Sequence, residues 1–316
     1  MKEKFARLGL ASLPYRLLKK KAVIRDLDGF EVPVVIKTVD SQGQRGIFLC
    51  KSAAEVLAHI DEVLVYSREN YILVERYYPQ EEETLNGWVE NGVVQILSIT
   101  DRVTFDEDEQ LGICLAHSFP SKFRASHGRE LITLAHEIVE GFDIMDGPIY
   151  FQFLIGEEGV KINEIACRIG GAYESVYLPK ITGFDLCKAV VEKTMGLGVD
   201  VTPLKHYDFM TTQAYRSVQL FFAEACEVVS RPKIEEILAI EGVIDCQIHY
   251  NVGDVIGTIE NATARAGYVI VEGKSKAELT ERLTTLYERM VLIGKDQKNH
   301  IIHETFNENQ SVMDGL

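Results

Sequence analysis

The sequence lacks the signatures of several enzyme classes. No GxSxG, HExxH, GxGxxG or GxxxxGKS/T segment occurs in it, so it has no nucleophile elbow, zinc-protease helix, dinucleotide-binding turn or P-loop. It also has no run of about 18 apolar residues, the length that marks a membrane span, and no apolar leader at its start. We therefore expect a cytoplasmic protein with no membrane partner and no nucleophile-based hydrolase chemistry.

Cysteine is present without a pairing pattern. The six cysteines lie far apart and form no CxxC motif. Most of them fall inside apolar runs, where a reduced cysteine packs as a small hydrophobic side chain. The sequence therefore indicates neither structural zinc nor disulfide bonds.

Positive charge is scarce. The chain has 33 Lys and Arg against 48 Asp and Glu, a formal net charge of −15. This balance argues against a nucleic-acid partner, because a general nucleic-acid surface needs a basic footprint. It leaves room for an anionic ligand in one pocket where basic side chains converge. The 316 residues, 46% of them hydrophobic, are enough for two domains with a sizeable core.

The segment 146–171 reads as a β-hairpin. Its two apolar runs, Pro148–Ile155 and Val160–Cys167, flank a Gly-Glu-Glu-Gly turn. If the turn centres on Glu158, Gln152 lies directly opposite Glu164, with Cβ atoms about 4.5–5.5 Å apart. Their oxygens could then share a cation such as Mg²⁺. An ordinary amphipathic hairpin with a polar outer face explains the same spacing, so both interpretations stay open.

A second segment has the composition of a phosphate-binding loop. A short strand over 33–37 ends in Lys37, and the following loop, 38–46, contains Gly43 and Gly46. Glycines let the backbone approach an anion closely, and Lys37 adds a charge at the strand end. A tight hairpin with a solvated lysine is equally compatible. A strand over 47–51 and a helix capped by Ser52 follow.

The remaining pattern predicts alternating strands and helices. We expect strands at 71–78, 85–89, 93–104 and 112–119, with a turn at 106–109, and helices at 129–141, 172–179 and 184–195. Residues 196–207 read as a linker. Beyond it, strands near 213–223, 227–230, 244–250 and 267–272 and helices at 233–240 and 275–293 predict a separate small α+β domain, followed by a loose polar tail.

The order of these pieces resembles the ATP-grasp superfamily from about residue 1 to 195. The resemblance is carried by Lys37 before the Gly-rich loop, Val74-Glu75 before two tyrosines and an acidic run, the acidic hairpin, and Arg168-x-Gly-Gly. It is closest to the carboxylate–amine ligase branch, which also resembles biotin carboxylase and the large-subunit halves of carbamoyl phosphate synthase. Residues 265–279 are similar to the C-terminal module of amino-acid ligases.

The resemblance implies an α+β architecture with the ATP-grasp fold, in which two α+β subdomains grip a nucleotide, followed by a small C-terminal α+β domain. The implied parts are a small subdomain with a leading helix (1–76) and a large subdomain with the metal and phosphate hairpin (77–200). The C-terminal domain (205–295) and a polar tail (296–316) follow.

The resemblance also implies site residues, with ATP and Mg²⁺, or Mn²⁺ in its place, as the bound groups. Around the phosphates, Lys37 would hold the α/β-phosphates, and the loop Ser41–Gly46, with Ser41, Gly43 and Gly46, would close over the rest. Around the base, Glu75 would meet the adenine amino group, Tyr77 and Tyr78 would form the hinge, and Leu154 would pack under the purine. Glu82 would bind the ribose. For the chemistry, the implied residues are Gln152 and Glu164 as metal ligands, Arg168 on the transferred phosphoryl group, and Gly170 and Gly171 beside the acceptor.

Three departures from the family pattern stand out. Gln152 occupies a metal position that is usually Glu, and Ala166 occupies one that is usually Asn. We also expect the domain that usually precedes this fold, and a lysine just ahead of the first helix, to be missing. Three explanations stay open for this: the chain is a fragment, another chain or a homodimer partner supplies the missing part, or the activity is reduced.

The expected function is that of an ATP-dependent, ADP-forming ligase that joins a small carboxylate to an amine through an acyl phosphate. One alternative is an enzyme that activates bicarbonate, as carboxylases and carbamoyl phosphate synthases do. Another is a nucleotide-binding module with little or no turnover. The sequence does not identify the two substrates. Five polar residues are candidates for contacts with the acceptor, and a structural role inside the protein explains each of them equally well: Asp101, Arg102, His117, Ser121 and Tyr173.

Overall fold

The computed structural model describes residues 1–105 and 111–302. The predicted turn at 106–109 and the last part of the predicted tail therefore lie outside the described residues. Within the described residues, no helix is long and apolar enough to cross a membrane.

The N-terminal region is a four-stranded antiparallel sheet backed by one helix. Its strands are β1 (Tyr15–Lys19), β2 (Val34–Lys37), β3 (Phe48–Cys50) and β4 (Tyr71–Arg76), in the order β1-β4-β2-β3. The helix α2 (Ala53–Leu64) buries Val56, Ile60 and Val63 against the sheet. It begins where expected, because the Ser52 hydroxyl accepts a hydrogen bond from the Glu55 N–H.

The central sheet has eight strands. They are β5 (Glu81–Glu90), β6 (Val93–Thr104), β7 (Cys114–Phe119), β8 (Gly147–Gly156), β9 (Gly159–Ala166), β10 (Tyr215–Phe221), β12 (Val243–Ile248) and β14 (Gly267–Gly273). Their spatial order is β12-β14-β10-β7-β6-β5-β8-β9, with every neighbouring pair antiparallel.

Helices cover both faces of this sheet. On one face, α3 (Arg124–Gly141) packs Leu131, Ala135 and Ile138 onto the inward side chains of β5, β6 and β8. The short helix α1 (Lys2–Arg7) joins the same core through its fully buried Phe5. On the other face, α4 (Glu174–Thr182) and α5 (Leu186–Thr194) pack around Trp88.

The C-terminal region completes the central sheet and adds a small one. Strand β10 pairs with β7, so β10, β12 and β14 extend the sheet that begins at β5. The small sheet contains β11 (Cys226–Ser230), β13 (Val255–Ile256) and β15 (Ile293–Gly294), and the helices are α6 (Ile234–Leu238) and α7 (Lys276–Arg289). The sheet is thus continuous across the predicted boundary near residue 200, while the domain limits themselves stay predictions.

The described part of the expected polar tail is packed against the C-terminal core. Ile301 is buried and forms a β-bridge with Ala223, and the Glu224 N–H donates to the His300 carbonyl. Residues 299–302 therefore differ from the loose tail expected there, because Ile301 supplies an apolar side chain to that core.

Candidate active site

A large cleft lies between the N-terminal sheet, the β8–β9 hairpin and a segment of the C-terminal region. Its volume is about 1070 Å³, at the upper end of the range for small-molecule sites. Six basic side chains and four acidic ones line it: Lys2, Lys37, Arg45, Arg102, Arg168 and Arg265, and Glu3, Asp40, Glu69 and Glu164. A chain of net charge −15 therefore gathers an excess of cations in this cleft, as expected for an anionic ligand.

The hairpin has the register that the sequence predicted. Gln152 on β8 lies opposite Glu164 on β9, which confirms the expected pairing, and both residues line the cleft. The register shifts immediately afterwards, where Phe153 pairs with Ile162, so Asn163 bulges out of β9. Phe153 and Ile162 remain fully buried in the core under α3.

The donor atoms of this pair fit a divalent cation that is also held by a phosphate ligand. The Gln152 Nε2 donates to the Glu82 carboxylate over 2.5 Å, so the amide oxygen of Gln152 and the carboxylate of Glu164 remain as oxygen donors. Mg²⁺ commonly takes one or two carboxylates together with substrate phosphates and waters. Among the described residues, no cluster of three or more His, Cys, Asp or Glu side chains forms a complete metal cage.

Two lysines share one buried carboxylate beside the hairpin, where Lys2 donates to the Ile162 carbonyl and Lys37 to the Asn163 side chain, each over 3.4 Å. The Lys2 Nζ lies 2.6 Å from the Glu75 carboxylate, and Lys37 pairs with the other oxygen of the same group. Glu75 is only 2% exposed. We expected no lysine ahead of the first helix, but Lys2, the first residue of α1, supplies an ammonium group to the cleft. The sequence contains no local signal for this contact, because Glu75 lies 73 positions away on β4.

Electrostatics keep Glu75 and Lys37 charged. Burial alone would raise the pKa of Glu75, but the two lysines lower it below its ordinary value. Burial likewise would lower the pKa of Lys37, but Glu75, with smaller contributions from Glu164 and Glu82, raises it. The pKa of Lys2 is lowered by burial, which outweighs the attraction of Glu75.

The structure brings about half of the expected nucleotide and phosphate residues to the cleft. The lining includes Lys37, Ser41, Gly43, Gln152, Glu164, Arg168 and Gly171. Residues outside the lining are Gly46, Glu75, Tyr77, Tyr78, Glu82, Leu154 and Gly170. The roles expected for both groups stay predictions.

The residues outside the lining have structural surroundings that explain their position. Tyr78 and Leu154 pack with Leu13 in a small apolar cluster. Glu82 forms an ion pair with Arg102 and accepts the hydrogen bond from Gln152. Gly46 has a φ of +70°, and a Cβ there would meet a ring carbon of Tyr66 at 3.1 Å, so this position favours glycine for a structural reason.

Arg168 reaches the cleft from the loop after β9. Its Nη1 donates to the Ile169 carbonyl over 3.0 Å, and its guanidinium lies 5.0 Å from the centre of the Tyr150 ring. No ion pair to Arg168 is found among residues 1–105 and 111–302. Its charge is therefore available to an anionic ligand.

Of the five polar residues expected near the acceptor, two line the cleft. They are Arg102 and His117. The His117 Nδ1 lies 3.3 and 3.2 Å from the Thr84 and Thr100 hydroxyls, and burial, followed by the charge of Arg102, lowers its pKa to about 3. This imidazole is therefore neutral at physiological pH. The other three, Asp101, Ser121 and Tyr173, are outside the lining.

The C-terminal region contributes a wall that the sequence did not predict. Ala262, Thr263 and Arg265 line the cleft, and the Ala262 N–H donates to the Gly43 carbonyl over 3.2 Å. The Gly-rich loop after β2 is thus hydrogen-bonded to a residue more than two hundred positions later. No periodicity or motif in the sequence marks such a contact.

Comparisons with known proteins give consistent results. A family model described as L-amino acid ligase C-terminal domain 2 matches residues 219–292. Dapdiamide A synthase from Enterobacter agglomerans is 20% identical over 295 residues, which cover 90% of this chain and 69% of that protein.

Solved structures extend the likeness to nearly the whole chain. An L-amino acid ligase from Bacillus licheniformis has a TM-score of 0.76 at 14% identity, over 93% of this chain and 70% of that one. Biotin carboxylase from Campylobacter jejuni has a TM-score of 0.71 at 13% identity, over 99% of this chain and 69% of that one. At such identities these structures establish a shared fold.

Proposed function

We propose that this chain is an ATP-dependent, ADP-forming ligase. Its likeness to L-amino acid ligases and to dapdiamide A synthase supports the proposal. The enzyme would join a small carboxylic acid to an amine through an acyl phosphate, a reaction expected in the cytoplasm, where ATP is available. The observation that carries the proposal is the meeting of Gln152, Glu164, Lys37 and Arg168 in one cleft.

The chemistry explains why such a cleft needs cations. A carboxylate is a poor electrophile, and its phosphorylation gives an acyl phosphate that an amine attacks. During phosphoryl transfer, negative charge on the phosphate oxygens must be stabilised by fixed groups. Lys37 would hold the α/β-phosphates as a point charge, and Arg168 would meet the transferred phosphoryl group with its planar fork. Lys2, on the same carboxylate as Lys37, adds a second ammonium on this side.

We propose a positioning role for Glu75 in place of the adenine contact that the resemblance implied. Its carboxylate is buried and paired with Lys2 and Lys37, so it would orient both ammonium groups toward the phosphates. Tyr77, Tyr78 and Leu154 remain the proposed hinge and purine contacts, and Glu82 the proposed ribose contact.

Gln152 and Glu164 would hold Mg²⁺. Held there, Mg²⁺ would supply positive charge that offsets the negative charge of the phosphate groups. Around it, the loop with Ser41, Gly43 and Gly46 would exclude water, which would otherwise hydrolyse the acyl phosphate. The hydrogen bond between Gly43 and Ala262 supports this role, because it connects the loop to the wall that the C-terminal region forms.

The test is an ADP-release assay over a matrix of carboxylic acids and amines, with the products identified by mass spectrometry. We expect ADP formation that needs both an acid and an amine. Glu164→Ala should abolish it while the circular dichroism spectrum stays unchanged. Glu157→Ala, in the exposed turn of the same hairpin, is the matched control and should retain activity. Acid- and amine-dependent ADP release that persists in Glu164→Ala rejects the assignment.

A second candidate function is nucleotide binding without turnover. It is favoured by the neutral amide at Gln152 and by Ala166, which offers no side-chain ligand, since a single carboxylate binds a cation less strongly. Tight ATP binding with no ADP release in the whole matrix would support this alternative. ADP release that follows added bicarbonate alone would instead support bicarbonate activation.

A further inference from the structure

Arg265 is a cation in the cleft that the proposed nucleotide chemistry does not use. It follows the 3₁₀ turn Ala262–Ala264 in the C-terminal region and lines the cleft together with Arg102 and Arg168. It therefore lines the cleft from the C-terminal region, whereas Lys37 lines it from the N-terminal sheet.

Arg265 forms no ion pair in the described part of the chain, whereas Arg102 and Lys37 each form one. The buried Glu174 carboxyl group interacts with the charge of Arg265, but burial raises the pKa of Glu174 and so disfavours its negative form. Within the same described ranges, the Nε of Arg265 is buried without a hydrogen-bond partner. Its guanidinium lies 5.9 Å from the centre of the Tyr173 ring. A permanently charged group in this situation calls for an anionic ligand.

The surroundings of Arg265 favour a small carboxylate over a further phosphate. Three other cations, Lys2, Lys37 and Arg168, are already proposed for the phosphate chain, and they line the cleft together with Gln152 and Glu164. The ring of Tyr173 lies beside Arg265, and the charge of Arg265 acts on the neutral His117 and on the buried Glu174 carboxyl group. A neutral polar group and an aromatic wall suit an organic acid, whose carboxylate accepts two parallel hydrogen bonds from a guanidinium.

We propose that Arg265 binds a carboxylate group of an organic substrate, which makes it a specificity-determining residue of the acceptor half of the cleft. The inference rests on the proposed ligase function. The carboxylate is either the one that becomes phosphorylated or a second one that stays free in the product, as the α-carboxylate of an amino acid used as the amine would.

The position of Arg265 also connects this site to the Gly-rich loop. Ala262, three residues earlier, donates to the Gly43 carbonyl, and the Thr263 Cγ2 lies 3.7 Å from where a Cβ on Gly43 would stand. A carboxylate held by Arg265 would thus lie next to the loop proposed to close over the phosphates.

The experiment compares the wild type, Arg265→Gln and Arg265→Lys in the ADP-release assay, with probes that differ by one carboxylate. L-alanine and L-alaninamide serve as the amine pair, and succinate and succinamate as the acid pair. Arg289→Gln, an exposed arginine at the end of α7, is the matched control. ADP binding measured by calorimetry and thermal melting show whether the nucleotide site and the fold are intact.

We expect Arg265→Gln to lower kcat/KM by about 30-fold or more for the carboxylate-bearing probe, with ADP affinity unchanged and partial recovery in Arg265→Lys. If kcat/KM of Arg265→Gln falls with L-alanine but not with L-alaninamide, the carboxylate belongs to the amine substrate. If kcat/KM falls with succinate but not with succinamate, Arg265 binds a second carboxylate of the acid. If it falls equally with both acids, Arg265 binds the carboxylate that becomes phosphorylated.

Two results would overturn the inference. One is an Arg265→Gln enzyme that stays within twofold of the wild type on every probe. The other is a loss of ADP affinity that matches the loss of activity, since this would assign Arg265 to the phosphates. Failure of the ligase proposal looks different, because the wild type itself would then release no ADP. In that case, calorimetric titration of the same acids into the ADP complex of wild type and Arg265→Gln still tests carboxylate binding.

Discussion

Gln152 donates a hydrogen bond to Glu82, with 2.5 Å between its Nε2 and the carboxylate oxygen. Glu82 also pairs with Arg102, so the three side chains form one network in the cleft wall. A glutamate at position 152 would place two carboxylates against each other. The amide therefore satisfies Glu82 at the expense of one negative charge at the proposed metal position.

The first prediction concerns Gln152→Glu. Without added metal, the free energy of unfolding should fall by about 1–3 kcal/mol, because a donor to Glu82 is replaced by a second carboxylate. With Mg²⁺ present, the variant should gain more stability than the wild type does, since a ligand that binds only the folded state stabilises it. Thermal melting with and without Mg²⁺ measures both. Gln95→Glu, exposed on β6, should show neither effect, and an equal Mg²⁺ response in Gln152→Glu would contradict the metal assignment.

The second prediction concerns Glu75→Gln. This change removes the carboxylate between Lys2 and Lys37 and leaves a buried and a half-buried ammonium group close together. We expect the free energy of unfolding to fall by about 3 kcal/mol and nucleotide affinity to decrease, as measured by urea unfolding and calorimetry. Glu158→Gln removes the partner of an exposed pair with Arg76, for which little change is expected. Similar behaviour of the two variants would show that the lysine pair does not depend on Glu75.

The third prediction concerns the pH dependence of stability. Glu83 and Asp101 lie opposite each other on β5 and β6, and Glu83 is fully buried. Burial, reinforced by Asp101, holds the pKa of Glu83 well above its ordinary value of 4.5. The folded state therefore keeps a proton that the unfolded chain releases, and stability falls as the pH rises from about 4.5 toward the pKa of Glu83 in the folded state.

Glu83→Gln should remove this dependence. Between pH 5 and pH 8 the wild type should lose more unfolding free energy than Glu83→Gln does. The extra loss should be on the order of 1–3 kcal/mol. Urea unfolding at the two pH values measures it. If the variant and the wild type differ in unfolding free energy by the same amount at both pH values, Glu83 and Asp101 do not retain a proton in the folded state.

The fourth prediction concerns the contact between the Gly-rich loop and the C-terminal wall. Ala262→Pro removes the N–H that donates to Gly43, while the turn keeps its cap from Thr263 N–H to the Asn261 side chain. Loss of one hydrogen bond should raise the KM for ATP by about 2–10-fold, with little change in thermal stability. Ala262→Gly keeps the N–H and is the control. A KM for ATP that stays the same in Ala262→Pro would show that the loop closes without this bond.

Local sequence was sufficient where the determinants are close together. The short turn and the alternation of its two strands fix the register that places Gln152 opposite Glu164. The start of α2 follows from Ser52 and Glu55, three positions apart. Lys37 lies at the end of its strand, as the apolar run predicted.

Long-range contacts were not predictable in this way. The position of Lys2 depends on how Phe5 packs α1 onto the core of the central sheet, and that packing has no local signature. The network of Gln152, Glu82 and Arg102 needs three strands to be neighbours in a particular order. Periodicity identifies strands but does not give their order in a sheet.

The pairing of β7 with β10 has a consequence for how the protein can be divided. All six side chains of β7 are buried, and in a chain cut near residue 200 one side of this strand would present unpaired amides and carbonyls to water. Exposed edges of this kind are templates for intermolecular strand addition. A chain truncated there should therefore self-associate. In the intact chain the C-terminal region covers this strand edge and also forms a wall of the cleft.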